Sequence, residues 1–386
     1  MSNSSTLAGK SIFLDHHSST PVDPRVLNAM LPYFIEQFAN PHSVEHNLGL
    51  RAARAVEAAQ TSIANLIHAN AEEIVFTSGA TESNNLALRG IAAGHKKAHF
   101  VTSNIEHSSI STTFDWLERE GYSVTRLPVD SHGCVNPDVV GAALTTSTVL
   151  VSIQAANGEI GTIQQVSAIG RVCREHGALF HTDAVQAFGQ VPLDVRRDCI
   201  DLMSLSAHKI YGPKGIGALF VAADVRRRLR PQITGGDQQH GLRAGTVPTP
   251  LAIGFGRAAM LSAEEGSTHH ERIAKLRDRL FARLSHRLPG IWLNGSPAGR
   301  LPGNLNLCIE GVDAESLLPM LPDVALSTGS ACRAGALSAS PVLLAIGLPV
   351  AIAQTALRIG IGRENTVAEI DEAVERIAQA VEILRS

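Results

Sequence analysis

Four segments carry residue types that could do chemistry. Phe76-Thr77-Ser78-Gly79-Ala80-Thr81-Glu82-Ser83-Asn84-Asn85 follows an apolar run and opens a helix-like stretch. Small residues there let backbone N–H groups approach a ligand, and a helix N-terminus suits a phosphate because its first N–H groups are unpaired and its dipole is positive. An ordinary capped helix start carries the same signature. Asp183 closes a second apolar run in His181-Thr182-Asp183-Ala184-Val185-Gln186. The C-terminal end of a strand is where open α/β sheets place ligands, and a carboxylate there can pair with a cationic ring nitrogen. Taken alone, it also reads as a turn aspartate. Lys209 follows a third run, Asp201–Ser206, in Ala207-His208-Lys209-Ile210-Tyr211-Gly212-Pro213-Lys214-Gly215. Desolvation behind a buried strand lowers an amine's pKa and makes it nucleophilic. Lys214 lies in a Gly/Pro turn and reads as structural. Cys332 sits among small residues in Ser327-Thr328-Gly329-Ser330-Ala331-Cys332-Arg333-Ala334-Gly335. A loop gives a thiolate access, and Arg333 can supply positive charge. Cys134, Cys173, Cys199 and Cys308 read as buried, inert thiols.

The elements that must hold these residues are visible as alternating patterns. Short, β-branched runs bounded by small residues predict strands at Glu73–Thr77, Ala98–Thr102, Ser123–Pro128, Thr148–Gln154, Ala178–Thr182, Asp201–Ser206 and Gly217–Val221. Helix-like stretches such as Val166–His176 lie between several of them. That alternation predicts an α/β fold, a mostly parallel central sheet covered by helices on both faces. Further on, Arg272–Leu288 and Ala314–Leu321 read as helices and Asn304–Ile309 as a strand, a smaller α+β C-terminal domain. Thr366 and Glu369 form a capping-box pattern ahead of Val367, Ile370, Val374, Ile377 and Val381, one apolar stripe at helical spacing. The expected division is a large domain over 16–258 and a small one over 259–386, joined by N-terminal residues 1–15.

Composition narrows the function. The 386 residues are 44% hydrophobic and 18% charged, enough for a large packed core. A net charge of −3 gives no electrostatic case for nucleic acid. No apolar run reaches the roughly 18 residues of a membrane span, and the opening MSNSSTLAGKS lacks a secretory apolar core. The five cysteines show no CxxC, so neither a disulfide framework nor a metal site is expected, and a cytoplasmic setting fits.

In their order, these segments resemble the cysteine desulfurases, a branch of the class V aminotransferase-like enzymes of fold type I that use pyridoxal 5'-phosphate. The resemblance runs from Phe13-Leu14-Asp15 to the final helix. It includes Thr20-Pro21-Val22-Asp23-Pro24-Arg25, Thr77–Asn85, Glu106-His107, His181–Gln186, Ser204–Lys209, Arg243–Thr246, Gly329–Cys332 and Leu357-Arg358. It implies a role for each position. Lys209 is the Schiff-base lysine, later the base that moves the substrate's α-proton. Asp183 keeps the pyridine nitrogen protonated so that the ring acts as an electron sink. His107 stacks on the ring as an acid/base group, and Gln186 donates to the ring oxygen. Ala80, Thr81, Ser206 and His208 hold the phosphate, and Thr246 reaches the phosphate of a neighbouring subunit, which implies a homodimer. Arg358 grips the substrate carboxylate as a bidentate fork, with Asn40 nearby. His181 keeps a structural reading. The implied reaction converts L-cysteine to L-alanine and leaves a persulfide on Cys332, for delivery to a protein acceptor such as an iron–sulfur scaffold or thiolation protein.

Two departures stand out. The family usually has Asn-Asn-Glu where this chain has Asn157-Gly158-Glu159, so one ring contact is missing unless Asn157 or a water replaces it, and Gln186 remains as one donor. Arg333 follows the reactive cysteine where Thr or Ser is usual. Selenocysteine lyase, another class V enzyme, or a non-enzymatic partner of a sulfur system are the alternatives. A nucleotide site on the Gly-containing loop alone lacks a Walker or Rossmann pattern.

Overall fold

The computed structural model describes residues 11–328 and 339–386; Cys332 lies outside the described residues. Twelve strands are described: β1 (Ile12–Phe13), β2 (Ile74–Thr77), β3 (His99–Ser103), β4 (Ser123–Leu127), β5 (Thr148–Ser152), β6 (Leu179–Asp183), β7 (Leu202–Ser206), β8 (Gly217–Val221), β9 (Ile291–Leu293), β10 (Asn304–Ile309), β11 (Val324–Ala325) and β12 (Ala356–Gly360). Seven of them build the large sheet, in the order β2-β8-β7-β6-β5-β3-β4. Every pairing from β4 to β7 is parallel; β8 alone runs against its neighbours β7 and β2. The expected strands are there within a residue or two at most ends. β3, β6, β7 and β8 are buried at every position; β8 is apolar throughout, while β3, β6 and β7 also bury polar side chains such as His181 and Ser204. β4, at the sheet's edge, keeps exposed Ser123 and Arg126.

Helices Ala80–Ala92, Ser108–Arg119 and Val166–Glu175 cover this sheet with their apolar stripes. The largest departure from the sequence pattern is one helix, Thr249–Arg287, 39 residues long. Only its second half shows a clear stripe. Glycines weaken the helical signal in the first half, since each lowers helix propensity. One of them serves packing: a Cβ on Gly256 would lie 2.5 Å from Ala59 Cα in the helix Asn47–Asn65. The helix feeds Ala252, Phe255, Ala258 and Leu261 to the large core and Ile273, Leu276, Leu280 and Leu284 to the small one. The expected boundary at 258/259 therefore falls inside it.

The small region is an antiparallel sheet in the order β12-β10-β9, with the parallel pair β1–β11 beside it. Ile12 and Leu14 belong to its core. Its last helix, Val367–Leu384, starts on the capping box of Thr366 and Glu369 and buries Ile370, Val374, Ile377 and Val381.

Candidate functional site

The C-terminal ends of the parallel strands share one edge, and the candidate residues gather along it. β2 leads into Ser78-Gly79 and the helix Ala80–Ala92, whose first turn contains Ala80 and Thr81. β3 leads to Glu106 and to His107, which caps the helix Ser108–Arg119. β6 ends on Asp183, and β7 on buried Ser206, followed by a single 3-10 turn, Ala207–Lys209. Residues far apart in sequence are thus aligned simply because their strands are neighbours.

Asp183 is buried and held by two donors: the Asn84 side-chain amide gives a 2.8 Å bond to Oδ2, and the Val185 N–H one of 3.0 Å to Oδ1. Donors on both oxygens fix the orientation of the carboxylate at the end of β6. Asn84 also donates to Ser109 Oγ at 2.8 Å, so the phosphate-type helix and the helix after His107 are braced together. The exposed His107 ring is fixed through Nδ1, which accepts the Ser109 N–H at 3.2 Å and lies 2.8 Å from Ser109 Oγ. Behind it, Glu106 is buried. It accepts from Ser103 Oγ at 2.5 Å and from the Gln154 N–H. Burial pushes its carboxyl up to about 8, and the nearby Asp183 adds to the rise.

Lys209 Nζ donates to the carbonyls of His17 (2.5 Å) and Ser18 (2.8 Å), so the segment after β1 reaches from the small region into the cleft. His208 packs beside it with Nδ1 3.4 Å from Ser19 Oγ; burial, with Lys209 and Lys214 adding, brings its imidazole down to about 4, so it is neutral at pH 7. Gln186 meets the same segment, with Nε2 donating to the His17 carbonyl and Oε1 facing His17 Nδ1, both at 3.0 Å. His181 spans Ser152 and Ser204 inside the sheet, at 2.8 and 3.0 Å, as a packing residue.

Arg358, on β12, faces the cleft from the small region. Its Nε donates to Ser327 Oγ (3.0 Å), one terminal nitrogen to Asp15 Oδ1 (2.9 Å) and the other toward the Gly158 carbonyl (3.4 Å). Asn157 is committed to Ile105 and to its own loop. Its amide donates to the Ile105 carbonyl and accepts from the Glu159 and Ile160 N–H groups. Gln186 takes the space beside Gly158, because a Cβ there would lie 2.7 Å from Gln186 Nε2. Asn40 and Thr246 are exposed, and the Asn40 side chain accepts the His42 N–H at 3.0 Å. The sequence reading missed His17, which no spacing pattern marks; Asp15, Glu106 and Ser327 were quoted only within motifs and given no role.

The chain matches the family model "Aminotransferase class-V" over residues 12–373. It is 46% identical over 376 residues to the cysteine desulfurase IscS of Rickettsia typhi, covering 97% of this chain and 92% of that one. The chain belongs to the class-V aminotransferase family, in its cysteine desulfurase branch. Among solved structures, a NifS-like protein superposes with a TM-score of 0.90 at 33% identity, over 97% of this chain and all of that one. SspA in complex with cysteine superposes at 0.81 with 37% identity, over 92% and 100%. The cofactor of this class-V enzyme is pyridoxal phosphate. The residues present fit it: a doubly held carboxylate, a lysine one strand away, and a helix start on the same edge. No group of His, Cys, Asp or Glu among the described residues could hold a metal ion.

Proposed function

We propose that this enzyme is a cysteine desulfurase, with Lys209 and Cys332 as its two nucleophiles. The carrying observation is Arg358. Its planar guanidinium is fixed by Asp15, Ser327 and the Gly158 carbonyl, and one N–H on each terminal nitrogen is left over among the described residues. Two parallel N–H groups match the carboxylate of an amino acid. Pyridoxal phosphate, when bound, supplies the electron sink for the substrate's α-carbon. Asp183 supports that sink through the ring nitrogen, and Gln186 donates to the ring oxygen. Ala80, Thr81, Ser206 and His208 bind the phosphate. Lys209 Nζ takes the α-proton and returns it to the carbon skeleton, with His107 as a second acid/base group. The Cys332 thiolate attacks the substrate's sulfur. The S–S bond forms as the C–S bond breaks, leaving L-alanine and a persulfide on Cys332.

The persulfide is carried to a protein acceptor, an iron–sulfur scaffold or a thiolation protein. The working form is a homodimer. Supporting it, Leu27, Leu31, Phe34, Ile35 and Phe38 lie exposed on and beside the helices Pro24–Met30 and Pro32–Ile35, an apolar surface suited to a second copy. Exposed Thr246 then serves the partner's phosphate. Among the described residues no helix is long and apolar enough to cross a membrane, and four free cysteines suit a reducing cytoplasm.

The deciding experiment compares the wild type with Cys332→Ser. The variant should stay yellow and change its spectrum on adding L-cysteine, yet form no persulfide and lose sulfide release. Sulfide release near the wild-type rate from Cys332→Ser would refute the mechanism.

A further inference from the structure

We propose that His17 is a positioning residue that locks the Gln186 amide in one orientation, so that Gln186 offers the cofactor ring an N–H and never its carbonyl. This rests on the reading of Gln186 as a donor to the ring oxygen.

The hydrogen-bond pattern fixes both side chains. The His17 carbonyl can only accept, so the Gln186 atom 3.0 Å from it must be Nε2. Gln186 Oε1 then faces His17 Nδ1 at 3.0 Å and can only accept, so Nδ1 must carry the proton. Turning the amide over would set carbonyl against carbonyl and N–H against N–H. Burial keeps the imidazole neutral, bringing it down to about 4; the Gln186 bond works against that shift, while Arg358, Lys209 and His16, which also face the ring, add to it. One hydrogen of Gln186 Nε2 is used on His17 and the second is left over among the described residues. The backbone supplies the room. An ideal Cβ on Gly158 would lie 2.7, 2.9 and 3.0 Å from Nε2, Cδ and Cγ of Gln186, so Gln186 lies flat on Gly158. Gly158 makes the space and His17 holds what fills it. His17 and Gln186 also line a cavity of about 30 Å³ with Lys209 and Thr20.

The test is a pH titration of the visible absorbance of the yellow holoenzyme, without substrate. A donor to the ring oxygen stabilises its anionic form and lowers the midpoint. Gln186→Leu should raise the midpoint by about half a unit or more, a shift readily resolved. His17→Leu should give most of that rise, and should add nothing in the Gln186→Leu background. His17→Asn, whose amide nitrogen falls near the place of Nδ1, should restore the wild-type midpoint. Gly158→Ala evicts Gln186 and should raise the midpoint as well, which covers the case in which His17→Leu does not fold. A shift in Gln186→Leu without one in His17→Leu, or equal shifts from His17→Leu in both backgrounds, would overturn the proposal. An unmoved midpoint in Gln186→Leu would overturn the Gln186 reading and this inference with it.

Discussion

Replacing Arg358 by lysine keeps the charge and removes the fork. In the wild type, three of the five guanidinium N–H groups are directed at Ser327 Oγ, Asp15 Oδ1 and the Gly158 carbonyl. The remaining two, one on each terminal nitrogen, are those proposed for the substrate carboxylate. A lysine ammonium has three donors at a single point and cannot serve Asp15, Ser327 and both carboxylate oxygens together. At least one charged hydrogen bond to substrate is lost, about 1.5–3 kcal/mol, which is roughly 10–150-fold in kcat/KM. The grip on the carboxylate is the same before and during the chemical step, so the loss should fall on KM. Alanine formation measured against L-cysteine concentration reads it directly. Cysteamine, which lacks the carboxylate, supplies the control: Arg358→Lys should narrow the wild type's preference for L-cysteine over it. A KM within threefold of wild type, or a loss confined to kcat, would show that Arg358 serves only its bonds to Asp15 and Ser327.

Two further outcomes follow from the fold. Burial raises the Glu106 carboxyl from its ordinary 4.5 to about 8, so the folded state holds a proton that the unfolded chain releases. This cost is absent below about 4.5, grows as pH rises and is complete above about 8. Glu106→Gln should therefore gain stability over wild type between pH 5 and pH 8, read as the difference in unfolding midpoints; a constant difference across that range would refute the assignment. Thr366→Ala removes the side chain that accepts the Glu369 N–H at the start of the last helix. It should cost about 1 kcal/mol in denaturant unfolding with the active site unaffected; no loss would mean that packing of the apolar stripe alone sets that helix.

What the sequence determined by itself was local. A strand buried on both faces is rich in apolar residues, so β6, β7 and β8 were legible from Leu179-Phe180, Leu202-Met203 and Gly217–Val221, and with them Asp183 and Lys209 just beyond. The last helix was legible because a capping box lies within four residues. Sheet order, the reversed direction of β8 and the first half of the long helix were not. Strand pairing joins segments through backbone groups that every residue carries, and the glycines that obscured the helix are explained by close approaches, Gly254 to Met30 and Gly256 to Ala59. The same limit applies inside the cleft. From the sequence, Asn157 or a water was the candidate to fill the space beside Gly158, with Gln186 as a separate donor. The tertiary structure gives it to Gln186, because Asn157 is bonded to Ile105 and within its loop and His17, 169 residues away in the chain, turns and holds the Gln186 amide. Arg358 could be matched to a motif, but its orientation depends on Asp15, 343 residues distant. Hydrogen bonds across such separations leave no period or spacing in a sequence; the fold brings their partners within reach.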